Sequence, residues 1–272
     1  MSLQGKTLFI TGASRGIGRE IALRAARDGA NIVIAAKSAE AHPKLPGTIH
    51  SVAAEVEAAG GKALALQLDV RDEDAVKAAM TKAFEHFGSI DAVINNAGAI
   101  KLMGVEHLPP KRFDLMFQIN TRAVMVCSQA ALPYLKQSRG HILSLSPPVN
   151  LDPKWFANYG PYTTTKYGMS MLTLGMHEEF KKYGISVNSL WPKTVIATAA
   201  IEFEAGGPAV MKAARLPAIM ADAAYAILSS SERSISGRLL IDEEILREQG
   251  QSDFEQYRYD PAGKLMTDLF ID

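Results

Sequence analysis

Short apolar runs with strand character alternate with helical patterns along most of the chain, and the first strand breaks directly into a glycine-rich turn. That order is restrictive. Strands separated by helices lie parallel, with helices packed on both faces of the sheet. Strand-like runs fall at residues 7–10, 31–36, 63–68, 90–94, 141–145, 185–191 and 237–241. Helical patterns fall at 17–28, 51–59, 72–87, 110–137, 161–183 and 221–228. Asp72 is placed to cap the third helix, and Gly60, Gly61 and Gly88 are placed as stops. The expected architecture is α/β: a doubly wound, seven-stranded, mostly parallel sheet in one domain over 1–272. Residues 192–217, rich in Ala, Gly and Met, read as a substrate flap. Residues 242–272 read as a C-terminal extension that packs on the surface or against a partner subunit.

Charge excludes several functions. Lys plus Arg and Asp plus Glu each total 29, so no net charge draws the chain to nucleic acid or to a membrane surface. No apolar run reaches the ~18 residues of a spanning helix, and the start lacks the apolar core of a secretory signal. The stretch Leu269-Phe270-Ile271-Asp272 matches no peroxisomal address, and a cytoplasmic location is expected. Cys127 is alone and the histidines show no zinc-ligand spacing, so neither a disulfide nor a metal is expected.

The turn after the first strand reads Thr11-Gly12-Ala13-Ser14-Arg15-Gly16-Ile17-Gly18. Glycines at a strand-to-helix junction let a phosphate approach the backbone at the N-terminus of the next helix. The bland alternative is a simple tight turn, but the junction is where a dinucleotide site requires it. Strand two ends Ala35-Ala36-Lys37, with no acid to bind a ribose 2′-hydroxyl. Lys37 and Arg15 instead favour a 2′-phosphate, hence NADP(H), with NAD(H) second. The alternative is a pair of solvated surface cations. Asp69 follows strand three and Asn95-Asn96-Ala97-Gly98 follows strand four, both at the strand ends where open α/β sheets bind ligands.

Tyr162 and Lys166 lie four apart near the start of a helix opened by Pro161, and therefore on one face. The spacing alone is weak, and a Tyr packed on a Lys stem is the bland reading. A neighbouring ammonium and a nicotinamide cation would lower the phenol from about 10 toward neutrality and fit it for proton transfer. Asn120 has Met116, Phe117, Ala123 and Val124 as helical neighbours, which places it on a buried stripe. A structural tie and a proton relay are equally open for it.

Taken in order, TGASRGIG at 11–18, Asp69-Val70, NNAG at 95–98, Asn120 and Tyr162/Lys166 resemble the short-chain dehydrogenase/reductase family over nearly the whole chain. The resemblance implies a single-domain, Rossmann-like fold. It also implies cofactor contacts from Gly12, Ser14, Arg15, Gly16, Ile17, Gly18 and Lys37. Asp69 and Val70 would meet adenine, while Asn95, Ala97, Gly98, Pro192 and Val195 would line the ribose and nicotinamide side. It implies Tyr162 as proton donor or acceptor, Lys166 on the nicotinamide ribose, and Asn120 anchoring a relay water.

Two positions depart from the family pattern. Pro147 stands where the family places a catalytic Ser, and strand alternation points the preceding Ser146 to the other face. A bend at Pro147-Pro148 that returns Ser146, or substitution by Asn150, would restore a polar group. Lys193 follows Pro192 where a Gly is usual. The expected function is NADP-dependent oxidoreduction of a hydroxyl or carbonyl on an apolar, lipid-like small molecule. The alternative is a catalytically weak or inactive NADP-binding sensor or scaffold. A homodimer or homotetramer, paired through the helices carrying Asn120 and Tyr162, is expected, with neither nucleic-acid nor membrane partners.

Overall fold

The structure is a computed structural model that describes residues 2–204, 206–230 and 235–272. The described residues form seven strands: β1 (Thr7–Thr11), β2 (Asn31–Ala36), β3 (Lys62–Gln67), β4 (Ala92–Asn95), β5 (His141–Ser144), β6 (Ser186–Trp191) and β7 (Leu239–Ile241). They form one sheet in the order β3-β2-β1-β4-β5-β6-β7, and every pairing is parallel. This is the expected doubly wound, Rossmann-like α/β fold. Strand order reverses between β1 and β4, where Phe9 is in register with Val33 on one side and Val93 on the other. That reversal opens a crevice at the carboxyl ends of the strands.

The helices include α1 (Gly16–Ala26), α2 (Ile49–Ala58), α3 (Glu73–Phe87), α4 (Pro110–Phe117), α5 (Ala123–Ser138), α6 (Lys154–Ala157, a single turn), α7 (Gly160–Phe180) and, further on, α10 (Ala218–Leu228). Two short helices, α8 (Ala199–Glu204) and α9 (Gly207–Lys212), precede α10, and α11 (Asp242–Glu248) follows β7. All five residues of β1 are buried. Alternate residues feed opposite faces, as the two-residue strand period requires. Leu8 and Ile10 join Ile21 of α1, Val52 of α2 and Ile227 of α10. Phe9 joins Met80 of α3, Val126 of α5 and Met176 of α7. Local chemistry sets the helix ends. Thr48 and Ser51 form a reciprocal capping box on α2, and Asp72 accepts from the Ala75 amide at 3.0 Å to open α3. No helix among the described residues is long and apolar enough to cross a membrane.

Three segments differ from the sequence reading. The pattern at 110–137 is not one helix: a π-turn, Gln118–Arg122, separates α4 from α5. The wider turn advances the helix face, so Phe117, expected beside Asn120 on a buried stripe, is 40% exposed while Asn120 is 1% exposed. Residues 192–217 contain α8 and α9, whose few residues are too short for a periodic signal. Residues 242–272 do not simply coat the surface. They supply α11, and then an irregular tail with isolated bridges at Arg258 and Thr267, whose Phe270 is 1% exposed.

Candidate functional site

A cleft of about 840 Å³ runs along the carboxyl ends of the strands. Its walls include Gly12, Ser14, Arg15, Gly16, Ile17, Lys37, Asp69, Val70, Ala97, Gly98, Asn120, Tyr162, Lys166, Pro192 and Val195. The fold brings these residues, distant in sequence, onto one cleft. Gly18 and Asn95 are not on the wall. Gly18 lies behind the loop against Asn96 and Gly12. Asn95 ends β4 with its amide directed away, 3.4 Å from Ser128 Oγ and Ser144 Oγ, because alternation turns it into the sheet.

Asn96 does what the doublet did not announce. Its Nδ2 donates to the Thr11 carbonyl at 2.8 Å and to the Gly12 carbonyl at 3.1 Å. The Thr11 hydroxyl accepts from the amides of Asn96 and Ala97, each at 3.0 Å. These bonds lock the loop after β1 to the loop after β4. Gly12 has φ +68°, and an added Cβ there would lie 2.9 Å from Ala97 Cα. An added Cβ on Gly18 would meet the Gly12 carbonyl at 2.9 Å. The cradle is therefore a shape that side chains would fill. Helix α1 begins beside it with no side-chain cap and no acid in its first turn, so its amides face the cleft without an internal anion. These features fit a dinucleotide pyrophosphate.

The far end of the cleft is cationic but not freely so. The Arg15 guanidinium donates to the Pro46 carbonyl at 2.9 Å, Ser38 Oγ at 3.0 Å and the Gly47 carbonyl at 3.2 Å. Lys37 Nζ lies 3.2 Å from Asp69, which Arg71 also engages through a fork of bonds at 3.0 and 2.6 Å. Arg71 holds the Asp69 carboxyl well below the usual carboxylate range. Ser38, unmarked by any motif, stands beside Arg15 on the same wall.

At the other end, Tyr162 and Lys166 are 6% and 7% exposed on the first turns of α7. Lys166 Nζ donates a short bond to the Leu145 carbonyl just past β5, and lies 4.9 Å over the Trp191 ring. Burial pushes the Tyr162 phenol well up and brings Lys166 down to about 7. On the protein's own groups, desolvation is the largest influence on both, the reverse of what the spacing suggests. Asn120 Oδ1 accepts from the Ala99 amide at 2.8 Å, and its Nδ2 donates to the Ala99 carbonyl at 3.0 Å and to Thr165 Oγ1 at 2.9 Å. Its side chain is spent tying the β4 loop to α7, and the π-turn breaks the helical ladder at this point.

Neither stand-in for the absent Ser lines the cleft. Ser146 is wholly buried, and its hydroxyl finds no hydrogen-bond partner among the described residues. Asn150 Nδ2 donates to Asp272 at 2.8 Å, and its Oδ1 accepts from the Asp152 amide at 3.0 Å. The tail takes this side instead. Met266, Thr267, Asp268 and Leu269 all wall the cleft. Lys193 explains its departure from Gly: its amide donates to Asp242 Oδ1 at 2.9 Å and its Nζ to Glu243 at 3.0 Å. Burial opposes ionisation of Glu243, yet Arg215 at 2.6 Å, Arg247 and Lys193 together hold it down to about 2.

A family model described as short chain dehydrogenase matches residues 6–205. Hydroxysteroid dehydrogenase-like protein 2 of Xenopus tropicalis is 57% identical over 271 residues, covering 99% of this chain. The chain spans 64% of that relative's length. A solved structure from Xanthomonas campestris, assigned as a dehydrogenase, is 54% identical over 100% of both chains with a TM-score of 0.96. A 7α-hydroxysteroid dehydrogenase solved with NADH and 7-oxo glycochenodeoxycholic acid is 26% identical, covers 88% of this chain and 93% of its own, and has a TM-score of 0.77. With the fold, the glycine cradle and these likenesses in agreement, the chain belongs to the short-chain dehydrogenase/reductase family, oxidoreductases that interconvert CH–OH and C=O groups.

Proposed function

We propose that this chain is an NADP-dependent oxidoreductase acting on a hydroxyl or carbonyl of an apolar small molecule. The observation that carries the reading is the burial of Tyr162 and Lys166 on one face of α7, within the same cleft as the glycine cradle. The cradle and the α1 amides would hold the pyrophosphate. Arg15, Ser38 and Lys37 surround the place for a 2′-phosphate, although Lys37 shares its charge with Asp69. When bound, the nicotinamide supplies hydride-transfer chemistry. Its positive charge in the oxidised form favours a phenolate, opposing the burial that raises Tyr162. Tyr162 then moves the proton at the substrate oxygen, and Lys166 holds the ribose and assists the phenol. For Asn120, the spent side chain leaves the main chain at the π-turn as the group to anchor a relay water. The substrate end is lined by Ile100, Leu102, Met116, Trp191, Phe203 and Leu269, which supports an apolar, lipid-like substrate. The steroid bound by the 7α-hydroxysteroid dehydrogenase is a ligand of that kind.

A panel of apolar ketones and aldehydes with NADPH, followed by loss of reduced-nicotinamide absorbance, tests the reading. Turnover that persists in Tyr162→Phe overturns the mechanism, and tighter binding of NADH than NADPH overturns the cofactor preference. One observation favours a second reading, a nucleotide-binding sensor or scaffold: Pro147 replaces the usual hydroxyl and neither Ser146 nor Asn150 reaches the cleft. NADPH binding without turnover across that panel would establish it. The same proposal holds a cytoplasmic homodimer or homotetramer, supported by Met125 on α5 and by Met171 and Leu174 on α7, exposed by 48%, 53% and 38%. Light scattering that gives only the 29.4 kDa particle refutes the oligomer.

A further inference from the structure

The connection between β2 and α2 is long and tied down. Residues 37–48 span a junction that takes ~2–6 residues in most α/β units. The base of the segment is closed where the Ile49 amide donates to the Ser38 carbonyl at 2.9 Å. Its far side is latched to the glycine cradle. The Arg15 guanidinium donates from Nε to the Pro46 carbonyl at 2.9 Å and from Nη2 to the Gly47 carbonyl at 3.2 Å. Gly47, at φ +78°, seats directly on the cradle, and an added Cβ there would lie 2.2 Å from the Ser14 carbonyl oxygen. Pro43 and Pro46 restrict the backbone between these ties, and the Lys44 amide donates to His42 Nδ1 at 3.1 Å. The segment is thus a strap fastened at both ends.

The strap turns one side chain toward the cleft. Across residues 40–46 every residue is exposed except Leu45, which is half-buried and walls the cleft. Its neighbour Pro46 and the wall residue Ser38 share the Arg15 guanidinium, which places Leu45 at the cationic end of the cleft. That end has two further apolar wall residues, Leu68 and Val70, 3% and 6% exposed. A phosphate or a ribose gains little from these three side chains, whereas a flat aromatic base gains burial against them. We propose that Leu45 is a cofactor-binding residue, an apolar contact for the adenine ring that the strap carries to the cleft and Arg15 holds in place. This rests on the reading of the glycine cradle as a dinucleotide site. Arg15 then serves twice, as a cation at the nucleotide end and as the latch of the strap. The contact with the base serves NADPH and NADH alike, because both carry the same adenine. No motif marks Leu45: it lies between the end of β2 and the start of α2, outside every periodic pattern.

The test is ligand binding to the full chain without substrate. NADPH and NADH are titrated by nucleotide fluorescence. ADP-ribose, which carries the adenosine and both phosphates but no nicotinamide, is titrated by calorimetry. Leu45→Ala should weaken all three by about tenfold, the worth of burying a leucine side chain against the base. Leu45→Met, which keeps the apolar bulk, should bind all three near the wild-type level. Gly47→Ala, which lifts the strap off Ser14 and leaves Leu45 itself unchanged, should weaken all three as well. Far-UV circular dichroism and thermal unfolding confirm that each variant is folded, and Leu45→Thr replaces Leu45→Ala if the latter is not. Wild-type affinities in the folded Leu45 variant overturn the inference. A loss confined to NADPH also overturns it, since the strap would then act only through Arg15 on the 2′-phosphate. These outcomes are distinct from failure of the dinucleotide reading, in which the wild type itself binds none of the three ligands.

Discussion

The two ends of the cleft are built differently. At the nucleotide end, the loop after β1 and the loop after β4 are tied by bonds between main-chain groups and the Thr11 and Asn96 side chains, and the cradle is a space kept open by Gly12. At the substrate end, α7, the residues after β5, the residues after β6 and the tail are joined across long sequence separations, by hydrogen bonds such as Lys166 Nζ to the Leu145 carbonyl and the Asp268 amide to the Lys193 carbonyl, and by packing. Their junction is the aromatic cluster of Tyr162, Tyr167, Trp191 and Phe270. Shape and amide direction do the work at the first end, and any dinucleotide phosphate is met by the same backbone. Burial does it at the second, where desolvation moves Tyr162, Lys166 and Asp268 away from their ordinary proton affinities. Main-chain geometry is robust to most substitutions, whereas tuned side chains depend on every neighbour that excludes water.

That contrast can be broken by variants. Tyr162→Phe should reduce turnover by ~10²–10⁴-fold while NADPH affinity, read by fluorescence titration, stays near wild type. Equal losses in both would mean the ends are not separable. Phe270→Ala should cost about 3–5 kcal/mol in chemical denaturation and free the tail to limited proteolysis. Folded protein should keep its NADPH affinity, since the aromatic cluster touches only the substrate end. Gly12→Ala should do the opposite. Its φ of +68° and the approach to Ala97 should cost about 1–3 kcal/mol and lower NADPH affinity at least tenfold. Arg15→Ala should weaken NADPH about tenfold and NADH by less, the loss expected for a single charge-assisted bond of about 1.5 kcal/mol.

The smallest expected effect concerns pH. Burial raises Asp268 to about 7 and Asp242 to about 6, above the ~3.9 of an unfolded aspartate. The folded chain therefore binds more protons than the unfolded one between about pH 4 and 7. Their contribution to stability is full below about pH 4 and is lost as pH rises through 6 and 7. Thermal unfolding of the wild type should decline across that window. Asp268→Asn and Asp242→Asn should each flatten the decline, and an unaltered slope in both would remove these carboxyls from the account.

The alternation of strands and helices was readable because its periods of two and 3.6 residues are local, and burial on both faces of β1 follows from the same pattern. So was the nucleotide end: glycines at a strand-to-helix junction, and polar residues at strand ends, carry their meaning within a few positions. The pairing of Tyr162 with Lys166 was legible as a spacing, but the direction of their proton affinities was not, since that depends on water excluded by residues far along the chain. The turning of Asn95 and Ser146 away from the cleft follows the two-residue strand period, whereas the π-turn at Gln118–Arg122 and the engagement of Asn150 by Asp272 lack a periodic signature. The place of Asp268 lacks one most of all. An aspartate in a charged tail looks like solvent-facing surface until Lys193, Trp191 and the Phe270 cluster fold it inward. Contacts between segments distant in sequence leave no pattern in either one, and they decide which ordinary side chain becomes part of the site.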